Sequence, residues 1–371
     1  MSSGGWISSS SQKVMVIAAQ GSKILYSGDR LKDKILADIS GDAFEDALTD
    51  LMTAIDGWIT TSDDLEYRGS DEIDLALAEL CNAGAAAFTA LAGPDPQRLR
   101  DLLRGVVYLE VKVESKHIPW EFLYLGAADE AVDLELFLGS QMVVGRPSAN
   151  NEEYTNTPGG SNDIEDPADA SKFRVGVIED NTLASARSGA EREIFVAAGL
   201  PFRLMTELTR PTDIDILKEF LLRSPFLTHF NCHAEIDSIH AGYSVRMTNR
   251  FKVTRRQMSD VQVWEDSVIF LNCCHGHGML HRSTENTLAN TFARKNVGVV
   301  IAATHRILDS DGTRWASYFY EALLAGLAIG PSILEARKRM IADTGNPSCL
   351  VYSFIGQYNL TLGSIALDFA A

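Results

Sequence analysis

From Phe173 to Ile355 short apolar runs alternate with amphipathic stretches, and this alternation constrains the fold more than any other feature of the chain. Strand-like runs fall at Phe173–Glu179, Pro201–Leu208, Phe226–Cys232, Ser267–Cys273, Val297–Thr304 and Leu350–Ile355. Helical patterns lie between and after them, at Ala186–Ala198, Thr212–Leu222, Glu285–Lys295, Thr313–Ala325 and Ser332–Met340. Strands that are apolar throughout need cover on both faces, and intervening helices supply it. The pattern predicts a parallel sheet with helices on both sides, a doubly wound α/β domain.

The part before residue 148 is built differently. Lys13–Ala19 and Lys23–Tyr26 read as strands around a Gln-Gly-Ser turn, and Val106–Val113 as a third. Asp42–Trp58 carries Phe44, Leu48, Leu51 and Ile55 at helical spacing, Glu72–Leu91 is an Ala-rich helix stopped by Gly93 and Pro94, and Pro96–Leu103 is a short third helix. Pro119 opens a helical turn at Trp120-Glu121, with Trp120 expected in the core and Glu121 paired locally. Residues 148–171 are polar, acidic and interrupted by Pro158, Gly159, Gly160 and Pro167, a composition that buries too little to offset its ordering entropy. The expected organisation is a tail at 1–12, an N-terminal unit at 13–147, a linker or loop at 148–171 and a second unit at 172–371.

Charge and cysteine content narrow the function classes. Across 371 residues, 50 Asp and Glu against 33 Lys and Arg leave a net charge of −17, which argues against direct nucleic-acid binding or an anionic membrane surface. The longest uncharged runs, Leu80–Pro94 and Ala322–Leu334, are too short to span a bilayer, and the N-terminus lacks the pattern of a signal peptide. Five cysteines in a chain of this length read as reduced thiols, and a cytoplasmic protein is expected. Neither G-x-G-x-x-G after a strand nor G-x₄-G-K-[ST] occurs, which weakens a nucleotide-binding reading.

In open α/β sheets reactive groups collect beyond the carboxyl ends of the strands. Phe226–Cys232 runs out into His233-Ala234-Glu235, and Val268–Leu271 into Asn272-Cys273-Cys274-His275-Gly276-His277-Gly278. An imidazole and a thiol on one rim are what thiol catalysis requires, the one taking the proton and the other attacking a carbonyl carbon. A packing role for Cys273 and Cys274 competes with this reading. So does a metal site from Cys232, His233, Cys273, Cys274, His275, His277 and His281, although adjacent cysteines followed by His-x-His do not match the spaced pairs of zinc sites.

In their order, these motifs resemble the CHAT family of caspase-like cysteine peptidases, relatives of separase and the caspases. The resemblance rests on Thr228–His233 followed, forty-one residues after His233, by Leu271-Asn272-Cys273-Cys274. Supporting matches are Ala190-Glu191-Arg192-Glu193, Phe251–Met258, Glu285, Asn296–Ala302, Phe319–Leu323 with Gly326, Ala336-Arg337, and Ile118–Leu123. It implies a caspase-like doubly wound sheet with helices on both faces, an N-terminal pseudo-caspase subdomain and a C-terminal catalytic subdomain. It implies further that His233 is the general base, Cys274 the nucleophile and Cys273 a packed strand-end residue, with backbone N–H groups near Ala234 and Cys274 forming the oxyanion hole. No metal or cofactor is called for.

Asp309, Asp311 and His305 lie just past the Val297–Thr304 strand as candidates for a substrate pocket, against a reading of Leu308–Gly312 as a solvated turn and helix N-cap. His229 shares a strand face with Asn231 and His233, where a satisfied core histidine is expected. Two positions depart from the family: Ala234 stands where Gly is usual, and His-Gly-His-Gly follows the cysteine. The partners implied are a specific protein substrate, a gasdermin-like pore former among the candidates, and an activating partner, within prokaryotic defence or cell death. The alternative from another class is an inactive interaction scaffold that binds metal through its His/Cys-rich loop.

Overall fold

In the computed structural model the strands gather into two main sheets and one two-residue ladder. It describes residues 13–361 apart from 21–22, 29–30, 39–41, 64–69, 113–117, 129, 148–161, 164–174, 207, 209, 224–225, 238–241, 249–250, 265–266, 275–287 and 296. The first sheet draws on β1 (Lys13–Gln20), β2 (Lys23–Gly28), β3 (Leu31–Asp38), β4 (Val106–Lys112) and β5 (Val143–Gly145), in the order β3-β2-β1-β4-β5. Its hairpin strands are antiparallel, and β1, β4 and β5 are parallel. Helices α1 (Asp42–Asp63), α2 (Ser70–Ala92) and α3 (Pro96–Leu103) lie between β3 and β4 in the chain, and α4 (Leu138–Gln141) precedes β5.

The apolar stripe of α1 is buried at Phe44, Leu51, Ile55 and Trp58 and packs with Leu80, Phe88 and Leu91 of α2. The uncharged run Leu80–Pro94 covers only the second half of α2. As a whole, this helix is long and apolar enough to cross a membrane by length and composition; here its buried face joins the core.

After the ladder strand β6 (Asn162–Asp163) the second sheet begins. In chain order it holds β7 (Val175–Glu179), α5 (Ala184–Ser188), α6 (Ala190–Ala197), β8 (Phe202–Met205), α7 (Ile214–Leu222), β9 (Leu227–Asp237), β10 (Gly242–Thr248) and β11 (Phe251–Thr254). There follow β12 (Val268–Cys274), α8 (Leu288–Ala293), β13 (Val299–Ala303), α9 (Asp309–Leu324), α10 (Ile329–Thr344), β14 (Tyr352–Gly356) and β15 (Leu360–Thr361), the last paired with β6. The central order is β8-β7-β9-β12-β13-β14, parallel except for β14. Alternate residues go to opposite faces. Val177, Phe270 and Ile301 join the core that contains Trp315, Phe319 and Tyr320 of α9, while Ile178, Phe230 and Leu271 join the core that contains Phe220 of α7 and Phe292 of α8. This is the doubly wound arrangement with helices on both faces.

Several local expectations change. The strand expected at 226–232 runs on to Asp237, because its far end pairs with β10 in a hairpin that continues into β11. The helix expected over 186–198 is two helices, broken at Gly189, whose φ of 74° is left-handed and suits glycine. Asp309 and Asp311 form the first turn of α9 rather than a solvated turn before it, where negative side chains complement the helix dipole.

Glu121 pairs across the molecule instead of locally. It accepts from Arg146 Nη1 at 3.2 Å and Ser353 Oγ at 2.6 Å and lies 3.7 Å from Arg337, so its carboxyl is held below the usual range by the two arginines despite burial. Arg146 also continues β5 into a bridge with Ile355, through Arg146 N–H to Phe354 O at 3.1 Å and Gly356 N–H to Arg146 O at 2.8 Å. The two sheets thus meet edge to edge at β5 and β14.

Candidate active site

The rim where the chemistry was expected is formed by the carboxyl ends of β7, β9 and β12. The chain steps from β7 outward to β8 and returns on the other side as β9, so the crevice between β7 and β9 is the switch point where ligands sit in sheets of this class. Backbone register aligns the three strands: Glu179 of β7 and Asn272 of β12 both lie opposite Asn231 of β9. Two residues further on, Cys274 of β12 lies opposite His233 of β9, the last pair of that ladder. Paired positions on parallel neighbours share a sheet face, so positions 233 and 274 belong with Asn231 and Asn272. On its other side His233 pairs with Arg246 of β10. Ala234 is the first residue of β9 beyond the end of β12; its side chain is buried and it lies opposite Val245. Strand backbone there is extended, which alanine adopts without the strain of a positive φ.

The alternate positions tell the cysteines apart. Cys232 and Cys273 lie opposite each other and are buried in the α7/α8 core. Burial pushes both thiols well above the ordinary range, and it pushes Cys81 and Cys349 up to about 12. A thiol in such surroundings is a poor source of thiolate.

Beneath the rim lies a belt of buried polar groups. Asn231 donates to Ser185 Oγ at 3.0 Å, and Ser185 donates to Asp309 Oδ1 at 2.5 Å. Asn272 donates to Glu191 Oε1 at 2.7 Å and accepts from Tyr352 OH. His229 is fully buried, bonded to Tyr320 OH at 2.8 Å and to Glu191 Oε2, and is the satisfied core histidine that was expected. Asp180, just past β7, accepts from both Thr182 N–H and Oγ1 and pairs with Arg246 at 3.3 Å. Glu179 is buried against Arg192 at 3.3 Å, and burial raises its carboxyl to about 7 against the opposing pull of that arginine.

Of the three pocket candidates, two are enclosed by the fold. Asp311 is 8% exposed and accepts from Asn346 Nδ2 at 2.8 Å; His305 is 4% exposed, bonded to Thr304 Oγ1 and set edge-on to Phe122. Asp309 is half-buried and is used by Ser185, whose backbone N–H it also accepts at 2.9 Å. All three side chains are thus engaged within the fold, Asp311 and His305 buried and Asp309 partly open to the rim. His275, His277, His281 and Glu285 lie outside the described residues. Among the described residues no group of three metal-ligating side chains occurs.

Sequence reading had missed the roles of Glu191, Asn231 and Asn272. The signal was there: Asn-Cys-His and Asn-Cys-Cys close the β9–β12 ladder in parallel fashion, and register sets the two triplets side by side.

No family model matches the chain, and no curated protein matches it. Solved structures do. Two crystal structures of the Saccharomyces cerevisiae separase–securin complex, at 2.6 and 3.0 Å, match with TM-scores of 0.54 and 0.56 at 10% identity. Each match covers 94% of this chain and 30% of the other, so the chain spans less than a third of the protein it resembles. The complex of Porphyromonas gingivalis RgpB pro- and mature domains matches with a TM-score of 0.46 at 9% identity, over 85% of this chain and 77% of that one. The fold is caspase-like, shared with separase.

Proposed function

We propose that this chain is a cysteine endopeptidase of the CHAT type, with His233 as general base and Cys274 as nucleophile. The observation that carries the reading is the register pair 233/274 at the carboxyl ends of adjacent central strands, on a scaffold shared with separase. The four other cysteines are all buried, with thiols pushed up by burial.

In the proposed cycle His233 takes the Cys274 proton and the thiolate attacks the scissile carbonyl carbon, forming a C–S bond as the carbonyl electrons move to oxygen. Backbone N–H groups near Ala234 and Cys274 stabilise that oxyanion. Collapse expels the amine, which leaves with the proton held by His233. Water, deprotonated by the same imidazole, then cleaves the thioester and regenerates the thiol. The substrate is a specific protein. Following the family resemblance, a gasdermin-like pore former is the first candidate, in a prokaryotic defence or cell-death response, with a second molecule as activator.

The test is covalent labelling by a peptidyl electrophile, read by intact mass, on the wild type and on Cys274→Ala, His233→Ala and Cys273→Ala. Labelling should be lost in the first two variants and kept in the third. A wild type that stays unlabelled, alone and with candidate substrates and activators, would favour the inactive scaffold; labelling that survives Cys274→Ala would assign the nucleophile elsewhere.

A further inference from the structure

Glu191 takes no part in the cycle above, yet its carboxylate is fully buried directly below the positions that do. It comes from the first turn of α6, just after the left-handed Gly189 that separates α5 from α6. One oxygen accepts from Asn272 Nδ2 at 2.7 Å and from Thr313 Oγ1 at 3.0 Å, and the other bonds His229 Nε2. Asn272 lies two residues before Cys274 on β12, and His229 four before His233 on β9. A single side chain is therefore bonded to both strands that carry the proposed dyad.

A buried carboxylate is costly unless each lone pair it uses finds a donor, and an apolar side chain would fill the same space without that demand. A fully bonded polar network specifies one arrangement of the elements it joins. Here the bonds extend from His229 to Tyr320 of α9 and from Asn272 to Tyr352 of β14, so β9 and β12 are fixed to their neighbours as well as to each other. We infer that Glu191 is a positioning residue that holds β9 and β12 so that His233 and Cys274 face one another. This inference rests on the proposed dyad. A small slide or splay of one strand against the other is enough to uncouple an imidazole from a thiol, since proton transfer needs hydrogen-bond reach.

The experiment follows the rate of Cys274 alkylation by iodoacetamide against pH, read by peptide mass, for the wild type, His233→Ala, Glu191→Ala and Glu191→Gln. A thiol paired with imidazole reacts well below the pH of an ordinary thiol, whose pKa is about 8.5. Glu191→Ala should lower the rate at pH 7 about tenfold or more and move the midpoint up toward the ordinary value. Glu191→Gln should restore most of both, because its amide still accepts from Asn272 and can donate to His229 in the tautomer that then donates to Tyr320.

A folded Glu191→Ala protein with the wild-type profile overturns the inference, and so does a Gln variant as impaired as the Ala variant. Should Glu191→Ala not fold, Asn272→Ser and Tyr320→Phe each remove one link and should shift the profile the same way by about two- to fivefold; unchanged profiles in both overturn it too. If the wild type and His233→Ala behave alike, it is the dyad reading that fails.

Discussion

On one face of the second sheet Ile178, Phe230, Cys232, Ile269, Leu271 and Cys273 meet α7 and α8 through apolar surface, whereas near the rim of the other His229, Asn231 and Asn272 meet α5, α6 and α9 through a chain of hydrogen bonds, and Glu179 is paired with Arg192 of α6. Both faces are shut off from water, and the same strands supply both. The apolar face is held by dispersion and burial, which tolerate small shifts and isosteric swaps. The polar face packs Val177, Phe270 and Ile301 on α9 as well, but toward the rim it adds directional bonds to Ser185, Glu191, Asp309, Thr313, Tyr320 and Tyr352, whose loss leaves desolvated groups unpaired. Positions 233 and 274 belong to the polar face and positions 232 and 273 to the apolar one. On the proposed dyad, the positions that need exact geometry, 233 and 274, fall on the face that carries the directional bonds.

The contrast is most directly broken by making the polar face apolar. Asn272→Leu removes a donor to Glu191 and an acceptor for Tyr352, leaving a buried carboxylate and a buried hydroxyl short of partners. The expected cost is about 3–4 kcal/mol, a buried carboxylate and a buried hydroxyl each left one hydrogen bond short, measured by urea unfolding. A loss under about 1 kcal/mol would mean that the network is dispensable and that the two faces are alike.

A second test uses pH. Glu179 sits on the polar face with its carboxyl raised to about 7 by burial. Below the ordinary carboxylate pKa both folded and unfolded states hold the proton and the site costs nothing. As pH rises from there the unfolded chain ionises first, so stability falls until the folded carboxyl also ionises near 7, and above that the penalty is complete. Glu179→Gln removes it, while Arg192, 28% exposed, turns to water. The variant should match the wild type near pH 4 and exceed it at pH 8, by about 3 kcal/mol at most. A difference that does not change with pH would show that the site accommodates the charge.

The sequence pattern revealed the layered α/β architecture because strands buried on both faces leave continuous apolar runs, such as Val268–Leu271 and Val299–Ala303. It also drew attention to His233 and Cys274, since polar residues at the end of such runs stand out. Their adjacency was not legible: it depends on the register of β9 against β12, set by long-range pairing. The β10–β11 hairpin went unread although Val245 and Met247 alternate with Ser244 and Arg246, because short polar-alternating strands carry a weak apolar signal. Asp309, Asp311 and His305 had looked like pocket residues because a strand end precedes them, and only packing shows where such side chains turn. Glu121 is the same lesson at longer range, its partners Arg337 and Ser353 lying far along the chain.

The smallest effect sharpens the comparison most finely, because it concerns the residue next to the proposed nucleophile. Cys273 is 1% exposed, in register with Cys232, and its thiol is pushed up first by burial and then by the negative charge of Glu191. If position 273 belongs wholly to the apolar face, its sulfur acts as a small hydrophobe. Cys273→Ala should then cost about 1 kcal/mol in urea unfolding, the price of a small cavity, and leave the Cys274 alkylation profile unchanged. A cost above about 3 kcal/mol, or a displaced profile, would mean that strand alternation fails at the end of β12. The two faces would then merge at the rim, and the division of labour between the adjacent cysteines would be lost.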